Sequence, residues 1–341
     1  MLQSDMNYFP EILECVPNFS EGRNSSVIDA VTRAAALPGV RVLHRDSHRD
    51  ANRTVLTFAG EPAAVCEAAF RVTETAASLI DMSRHSGTHA RIGAVDVIPL
   101  IPVRGISMAE AVTLSRQLAD RIGTQLRLPV YLYAESAVCS ERRRLPFLRR
   151  GEYEGLAARI ASGFLPDSGP AVFNPRFGAC AVGARAFMLA FNVNIPGGED
   201  LLPRLNAIAK RLRSSGDGKT PGRLPAVQAK PWFSSDFGMC QMTANLFDYR
   251  QTGMGRFYEA VKEECAKEGL SVDGCEPVGM IPLKAFEETA AFYGCPTAAG
   301  NSESAIELTA HRLNLNRCKP FIPEKSVFEF AFDAAKNDPQ A

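Results

Sequence analysis

The length and charge of the chain limit the kinds of protein it can be. Its 341 residues exceed the ~250–300 at which a single hydrophobic core stops growing, so the length predicts two domains. Lysine plus arginine and aspartate plus glutamate both number 38, which favours a small-molecule ligand over nucleic acid or an anionic membrane. Without a secretion signal, a run of ~18 apolar residues or a C-x-x-C pair, we expect a cytoplasmic protein.

The first half alternates short apolar runs with segments of helical periodicity, in the order β-α-β-β-α-β. The Leu37-Pro38-Gly39 stop ends the first helix, and Pro62 begins the second. The polar segment 44–53, HRDSHRDANR, is predicted to be a long loop between the second and third strands. Strands are predicted at 12–16, 40–43, 55–59, 95–103 and 130–133, and helices at 24–36, 62–79 and 107–127.

The second half repeats this order in a different sequence. Both halves fit a ferredoxin-like βαββαβ unit, so the predicted fold class is α/β (α+β) with two subdomains, 1–180 and 181–341. The Gly- and Pro-rich segment 165–184 is predicted to be the hinge between them. Strands of the second half are predicted at 187–194, 226–233, 239–247 and 276–281, and helices around 205–212 and 257–265.

Four of the five histidines lie between positions 44 and 89. His44 and His48 belong to HRDSH, and His85 and His89 belong to HSGTH. Histidine is the usual general acid and base at neutral pH, although histidines bonded to backbone carbonyls would give the same pattern. Two histidines four apart on a helix can bind a metal, but neither pair looks helical and the glutamate of H-E-x-x-H is missing, so no metal is expected.

Charged residues border this histidine cluster. Asp46 can orient an imidazole, and Arg53 and Arg91 can clamp an anionic group. The arginine-rich segment 141–153, ERRRLPFLRRGEY, is predicted to be a solvated surface flanking a helix and not a nucleic-acid patch, because the chain has no net charge and the segment lacks interleaved aromatic residues.

A glycine-rich segment in the middle of the chain is a second candidate site. Its glycines would let a ligand approach the backbone, and Phe173 and Phe177 could stack on a planar ring. A plain linker with two core phenylalanines fits the same residues equally well.

Longer motifs extend the pattern over almost the whole chain. They are ECVPNFSEG, ANRTV, LIDMSRHSGTHARIGAVDVIPLIPVRG, LPVYLYAESA, FNPRFGACAVGARAF, FNVNI, PGRLPAVQA, TANLFDY and EPVGMIPLKAF. On these motifs, in order from about residue 11 to residue 325, the chain resembles the glutamate formiminotransferase family. In animals that transferase is fused to a cyclodeaminase, for which no residues remain here, so we expect the transferase activity alone.

The resemblance implies transfer of the formimino group of N-formimino-L-glutamate to N5 of tetrahydrofolate, a co-substrate, with release of glutamate. It implies that His89 is the catalytic histidine and Asp46 an active-site aspartate. We expect substrate binding by Arg91, His85, His48 and Arg53. The folate segment falls on Gly169, Pro170, Ala171, Val172, Phe173, Asn174, Pro175, Arg176, Phe177 and Gly178. Because a subdomain spends its interior on its own core, a folate cleft of ~300–1,000 Å³ is expected between the halves and not inside either one.

Two positions beside His89 depart from the family pattern. The common H-x-G-E-H-P-R reads HSGTHAR here, with Thr88 and Ala90, which leaves open a shifted histidine pKa or another donor such as formiminoglycine. Two other classes stay open. One is a metal-dependent amidine or amide hydrolase with His44, His48, His85 and His89 as ligands, and the other is a folate-binding protein without activity. The expected partners are small molecules, without nucleic acid or membrane; a homodimer is compatible with the sequence, which does not give the oligomeric state.

Overall fold

The computed structural model describes residues 9–295 and 302–335, which form two compact α/β units. The first unit contains the chain up to Ala186 together with the C-terminal segment from Phe332, and the second contains Phe187–Ala331. Each unit has its own sheet, which confirms the mixed α/β class with two subdomains. No helix in the described ranges is long and apolar enough to cross a membrane.

The first unit contains a seven-stranded sheet with helices packed on it. Its helices are α1 (Ser25–Arg33), α2 (Pro62–Leu79), α3 (Met108–Arg121), α4 (Leu145–Leu148) and α5 (Glu152–Ala161). Its strands are β1 (Ile12–Cys15), β2 (Asn18–Phe19), β3 (Val40–His48), β4 (Arg53–Gly60), β5 (Val95–Arg104), β6 (Val130–Leu132) and β7 (Cys180–Ala184).

The sheet of this unit is antiparallel at one end and parallel at the other. Both β1 and β2 pair antiparallel with β4 and with β5, while β7 lies parallel between β5 and β6. Residues 180–184 are therefore a central strand, not part of a hinge, and the predicted boundary after residue 180 lies too early. The segment lacks periodicity because all five residues of β7 are buried, as is typical of a parallel strand covered on both faces.

The predicted long loop at 44–53 is wrong. Strand β3 pairs with β4 as far as His48 opposite Arg53, with an irregularity between Val42 and His44, so only four residues form the turn. The strand looked like a loop because β3 pairs with β4 alone, and the side chains beyond Leu43 are polar and mostly half-buried or exposed.

Local sequence explains the helix starts that hold this unit together. The side chain of Asn24 caps α1 by accepting from the backbone N–H groups of Ser26 and Val27. Ser107 and Glu110 form a reciprocal capping box at the start of α3. The main core lies between the sheet and helices α1–α3, and a smaller apolar cluster includes Tyr131, Tyr133, Leu148, Leu156 and Ile160, which brings α4 and α5 onto the sheet.

The second unit contains a four-stranded antiparallel sheet in the order β11-β8-β10-β9. Its strands and helices follow the predicted order, and further helices come after the last strand; a ferredoxin-like fold stays a prediction. Leu189, Phe191, Val193 and Ile195 alternate into the core. The elements are β8 (Leu189–Ile195), α6 (Leu202–Leu212), β9 (Val227–Ser234), β10 (Met239–Leu246), α7 (Met254–Lys267), β11 (Cys275–Val278), α8 (Leu283–Phe292), α9 (Ser302–Arg312), α10 (Pro323–Ser326) and α11 (Phe328–Ala334).

Candidate active site

The turn between β3 and β4 anchors the HSGTH segment through Asn52. This buried residue has a φ of 47°, a left-handed conformation that asparagine adopts more readily than most residues. Its side chain accepts from the backbone N–H of Gly22 at 3.0 Å and donates to the backbone oxygen of Ser86 at 3.0 Å. Gly87 is required next to this turn, because a Cβ there would lie 2.2 Å from the backbone oxygen of Ala51. Asn52 thus joins the turn between β3 and β4 to the segment around Gly22 and to the HSGTH segment.

His85, the first histidine of HSGTH, has partners on both ring nitrogens. Nε2 donates to the backbone oxygen of Asn52 at 2.9 Å, and Nδ1 accepts from Nε of Arg91 at 3.2 Å. Arginine can only donate, which fixes this tautomer. Burial lowers the pKa of His85, and the charge of Arg91 lowers it further. The imidazole is held as a neutral structural group.

His89, the second histidine of HSGTH, is the opposite tautomer, in which Nδ1 and not Nε2 carries the proton. Nδ1 donates to the backbone oxygen of Ala90 at 2.7 Å, and Nε2 accepts from Nη1 of Arg53 at 2.5 Å. Burial, followed by the charges of Arg53 and Arg149, lowers the pKa of His89 to about 4. The ring is therefore neutral near pH 7, and the lone pair on Nε2 can accept a proton once Arg53 moves aside.

A second arginine beside His89 is neutralised by a buried carboxylate. Asp96 is 1% exposed and accepts from Nε of Arg149 at 3.0 Å, from Nη2 of the same guanidinium, and from the backbone N–H of Ile92 at 2.9 Å. The carboxylate thereby holds Arg149 next to the histidine segment.

A cleft of about 450 Å³ opens next to this pair. It is lined by Ala90, Pro146, Arg149, Gly151, Glu152 and Glu154, all in the first unit. The first unit alone thus holds a cleft in the size range that was expected only between the halves, and the position of the folate stays a prediction.

Arg91 holds the start of α5. Its guanidinium, of which only 7% of the side chain is exposed, bonds to Glu154 through two nitrogens at 2.8 and 2.6 Å and to Glu152 at 3.0 Å. The predicted clamp for a substrate anion is thus already occupied by two carboxylates of the chain itself.

Asp46 and His48 lie on the same face of β3, two residues apart. A carboxylate oxygen of Asp46 lies 3.0 Å from Nε2 of His48, and the two side chains are 37% and 55% exposed. Their pairing is a surface contact, which contributes little to stability. The charge of Asp46 also raises the pKa of Arg53, so this carboxylate lies on the Arg53 side of the site.

The glycine-rich segment 169–178 is tied to α5 by aromatic residues. The ring of Phe173 packs on Tyr153 at 5.4 Å between centroids, and the Tyr153 hydroxyl donates to the backbone oxygen of Pro175 at 2.5 Å. Phe177 is only 1% exposed and belongs to the main core, which matches the alternative of a core phenylalanine; its contact with folate stays a prediction. A Cβ on Gly178 would lie 2.1 Å from the backbone oxygen of Ile92, and this glycine therefore allows close packing of the chain.

Two arginines of the segment 141–153, predicted to be a solvated surface flanking a helix, form buried ion pairs instead. Arg142 pairs with Asp167 with both side chains largely buried, and Arg149 pairs with buried Asp96. The acidic residues Glu152 and Glu154 directly after these arginines signal a partner cation, which in the structure is Arg91.

Two family models match the chain in succession. Residues 12–185 match the N-terminal subdomain of the formiminotransferase domain, and residues 190–333 match the formiminotransferase domain. The chain belongs to the formiminotransferase family. Its membership confirms the resemblance that the motifs indicated.

Relatives within this family differ in how much of their length the chain spans. A glutamate formimidoyltransferase of Streptococcus pyogenes serotype M1 is 37% identical over 83% of this chain and 93% of its own length. Formimidoyltransferase-cyclodeaminases of Sus scrofa and Mus musculus are 43% and 42% identical over 94% of this chain. The chain spans 60% of the length of these two relatives, so it is similar to a part of each.

Proposed function

We propose that the chain is a formimidoyltransferase that moves the formimino group of N-formimino-L-glutamate to N5 of tetrahydrofolate. The observation that carries the proposal is the neutral imidazole of His89, whose Nδ1 is fixed on the oxygen of Ala90, in a chain of this family. The streptococcal relative, similar over nearly all its length, is named for the same reaction.

The reaction is an exchange of nitrogen on one amidine carbon. N5 of the folate bonds to the formimino carbon and loses its proton, while the bond between that carbon and the glutamate nitrogen breaks and this nitrogen gains a proton. Nε2 of His89 takes the first proton and returns it to the departing nitrogen, so no net proton is consumed. Such acid/base catalysis contributes ~10²- to 10⁴-fold, and alignment of the two substrates contributes the rest.

The side chains that surround His89 suit this chemistry. A base buried beside Arg53 and Arg149 stays unprotonated in neutral solution and keeps its lone pair for the substrate. Asp96 holds Arg149 in place. In this proposal the charge of Asp46 acts on Arg53, and His85 and Arg91 position the HSGTH segment that carries His89. The location of the folate, including its contact with 169–178, stays a prediction.

A metal-dependent hydrolase is not supported by the donor atoms. Both nitrogens of His85 and both nitrogens of His89 are engaged within the chain. Across residues 9–295 and 302–335, no group of three or more histidine, cysteine, aspartate or glutamate side chains is arranged to hold a metal.

An assay with omitted co-substrate tests the proposal against hydrolysis. The protein is incubated with formiminoglutamate, formiminoglycine or formiminoaspartate, with and without tetrahydrofolate, and both products are quantified by mass spectrometry. We expect one 5-formiminotetrahydrofolate for each glutamate released, and no release without tetrahydrofolate. Release of the amino acid in the absence of folate would establish a hydrolase instead. A preference for formiminoglycine would show that formiminoglycine, and not formiminoglutamate, is the donor.

A further inference from the structure

Arg53 is a partly buried cation that contacts His89. Its Nη1 is bonded to His89, its Nε is buried without a hydrogen-bond partner, and no carboxylate of residues 9–295 or 302–335 forms an ion pair with it. Burial is the main reason that the pKa of Arg53 is lowered to about 10, and the charge of Arg149 lowers it further. Buried cations are normally paired, because desolvation without a counter-charge is costly.

The charges of the nearby carboxylates Asp96 and Asp46 act on Arg53, but neither carboxylate is hydrogen-bonded to its guanidinium. Asp96 is committed to Arg149 through two nitrogens, and Asp46 is bonded to His48 on β3. The guanidinium of Arg53 therefore keeps donors that these carboxylates do not accept from, and an anionic ligand can accept from them. A carboxylate is the natural partner for the planar guanidinium, since it accepts two parallel hydrogen bonds.

We propose that Arg53 is the receptor for the α-carboxylate of the formimino donor, and that capture of this carboxylate releases the His89 nitrogen that Arg53 occupies in the free protein. The proposal rests on the formimidoyltransferase activity proposed above. In an N-formimino amino acid, one carbon carries both the α-carboxylate and the nitrogen of the breaking bond. A carboxylate on Arg53 thus brings the departing nitrogen next to Nε2 of His89.

The exchange also changes the proton affinity of His89. The carboxylate neutralises Arg53, whose charge opposes protonation of the imidazole, so binding of the donor raises the pKa of His89 toward its ordinary value. Arg149 and Asp96 face the imidazole as before, and Asp46 faces Arg53. The imidazole becomes a stronger base only when a donor is in place.

The first test is a ¹⁵N NMR titration of histidine in the wild-type protein. In the free protein we expect His89 as the Nδ1–H tautomer, with a pKa well below that of a free imidazole. Unreactive N-acetyl-L-glutamate should shift the Nε2 signal and raise this pKa. N-acetyl-L-isoglutamine, in which only the α-carboxylate is replaced by an amide, should do neither. An ordinary pKa of His89 in the free protein, or equal responses to both compounds or to neither, overturns the proposal.

The second test pairs a variant with a truncated donor. Arg53→Gln should raise the KM for formiminoglutamate on the order of 10- to 100-fold, the effect of one charged hydrogen bond, with the affinity for folate unchanged. N-formimino-4-aminobutyrate lacks the α-carboxylate, so its KM with the wild type should be raised by a similar factor. Its KM should rise little further with Arg53→Gln. Arg45→Gln is the matched control, because the exposed Arg45 of β3 pairs with Asp29 of α1. If the substitution and the missing α-carboxylate each raised the KM by the full factor in combination, Arg53 would not be the receptor for this carboxylate.

The outcomes separate this proposal from the activity it rests on. If formimino transfer occurs and N-acetyl-L-glutamate leaves His89 unperturbed, the transferase stands and the role of Arg53 is wrong. If the α-carboxylate shifts His89 and no formimino transfer is found, the receptor stands and the reaction is wrong.

Discussion

His85 and His89 lie four residues apart, yet their ring nitrogens have different partners. His85 is bonded to Asn52 and Arg91, whereas Nε2 of His89 meets only a side chain that can turn away. We expect His89→Ala to lower kcat ~10²- to 10⁴-fold without weakening folate binding, because a proton carrier acts in the transition state. Steady-state kinetics and folate titration measure the two effects. Near-normal kcat in this variant would move the proton transfer to another group.

The matched variant His85→Ala should behave differently. Loss of its two hydrogen bonds is expected to lower the free energy of unfolding by about 1–3 kcal/mol, with a smaller effect on kcat than His89→Ala. A larger loss of kcat than in His89→Ala would reverse the two roles.

Asn52 combines a backbone and a side-chain requirement, which two substitutions separate. Asn52→Gly keeps the left-handed φ of 47° accessible and removes the bonds to Gly22 and Ser86, at a cost of about 1–3 kcal/mol. Asn52→Ala removes the same bonds and adds strain of about 1 kcal/mol. Urea denaturation should rank the wild type first, the glycine variant second and the alanine variant third. Equal stability of all three would show that the turn does not depend on Asn52.

At the level of elements, the second sheet carries a buried polar network across β8, β10 and β11. Gln241 is fully buried; its Nε2 donates to Asn194 at 2.7 Å and to Glu276 at 3.2 Å, and its Oε1 accepts from Asn192 at 3.2 Å. Lys319 lies 2.9 Å from the other oxygen of Glu276. The amides and the lysine together satisfy a carboxylate that would be costly to bury alone.

Removal of the central amide should therefore destabilise this sheet. Gln241→Ala is expected to lower the free energy of unfolding by about 2–3 kcal/mol, because three neighbours lose a partner. Gln241→Glu keeps the size but places a second carboxylate beside Glu276, so its stability should recover as the pH falls. Gln228→Ala, on the exposed side of β9, is the control, with an expected change within ~0.5 kcal/mol. Chemical denaturation at two pH values measures these free energies of unfolding. An unchanged free energy of unfolding in Gln241→Ala would mean that the network does not stabilise the protein.

Across the whole molecule, hydrophobic periodicity predicted the helices and strands whose burial follows a local sequence pattern. The helices with one apolar face and the half-buried strands lie where the pattern placed them. The pattern failed at β3, whose residues beyond Leu43 are all polar, and at β7, which is buried throughout. His89 could be predicted because its motif is distinctive, whereas its link to Arg53 depends on a contact between residues 36 positions apart that no local pattern contains.

The stability of the molecule should fall in mild acid because of these histidines. In the folded protein the pKa of His89 is lowered from 6.5 to about 4, and that of His85 is lowered too, chiefly because burial disfavours the charged ring. Between these pH values the unfolded chain binds more protons than the folded one. The free energy of unfolding therefore decreases as the pH falls from about 6.5 to about 4, and above pH 6.5 the histidines cause no such loss.

The variant His89→Gln isolates the contribution of this imidazole, since glutamine does not titrate. Its free energy of unfolding should depend less steeply on pH than that of the wild type in the same window, with parallel curves above pH 6.5. Denaturant titrations followed by circular dichroism across the window measure both slopes. Burial of the ring is the main origin of the expected difference, and the charge of Arg53, which donates to Nε2 of His89 in the folded state, adds to it. Identical slopes in the two proteins would mean that His89 titrates normally and that Arg53 does not hold it.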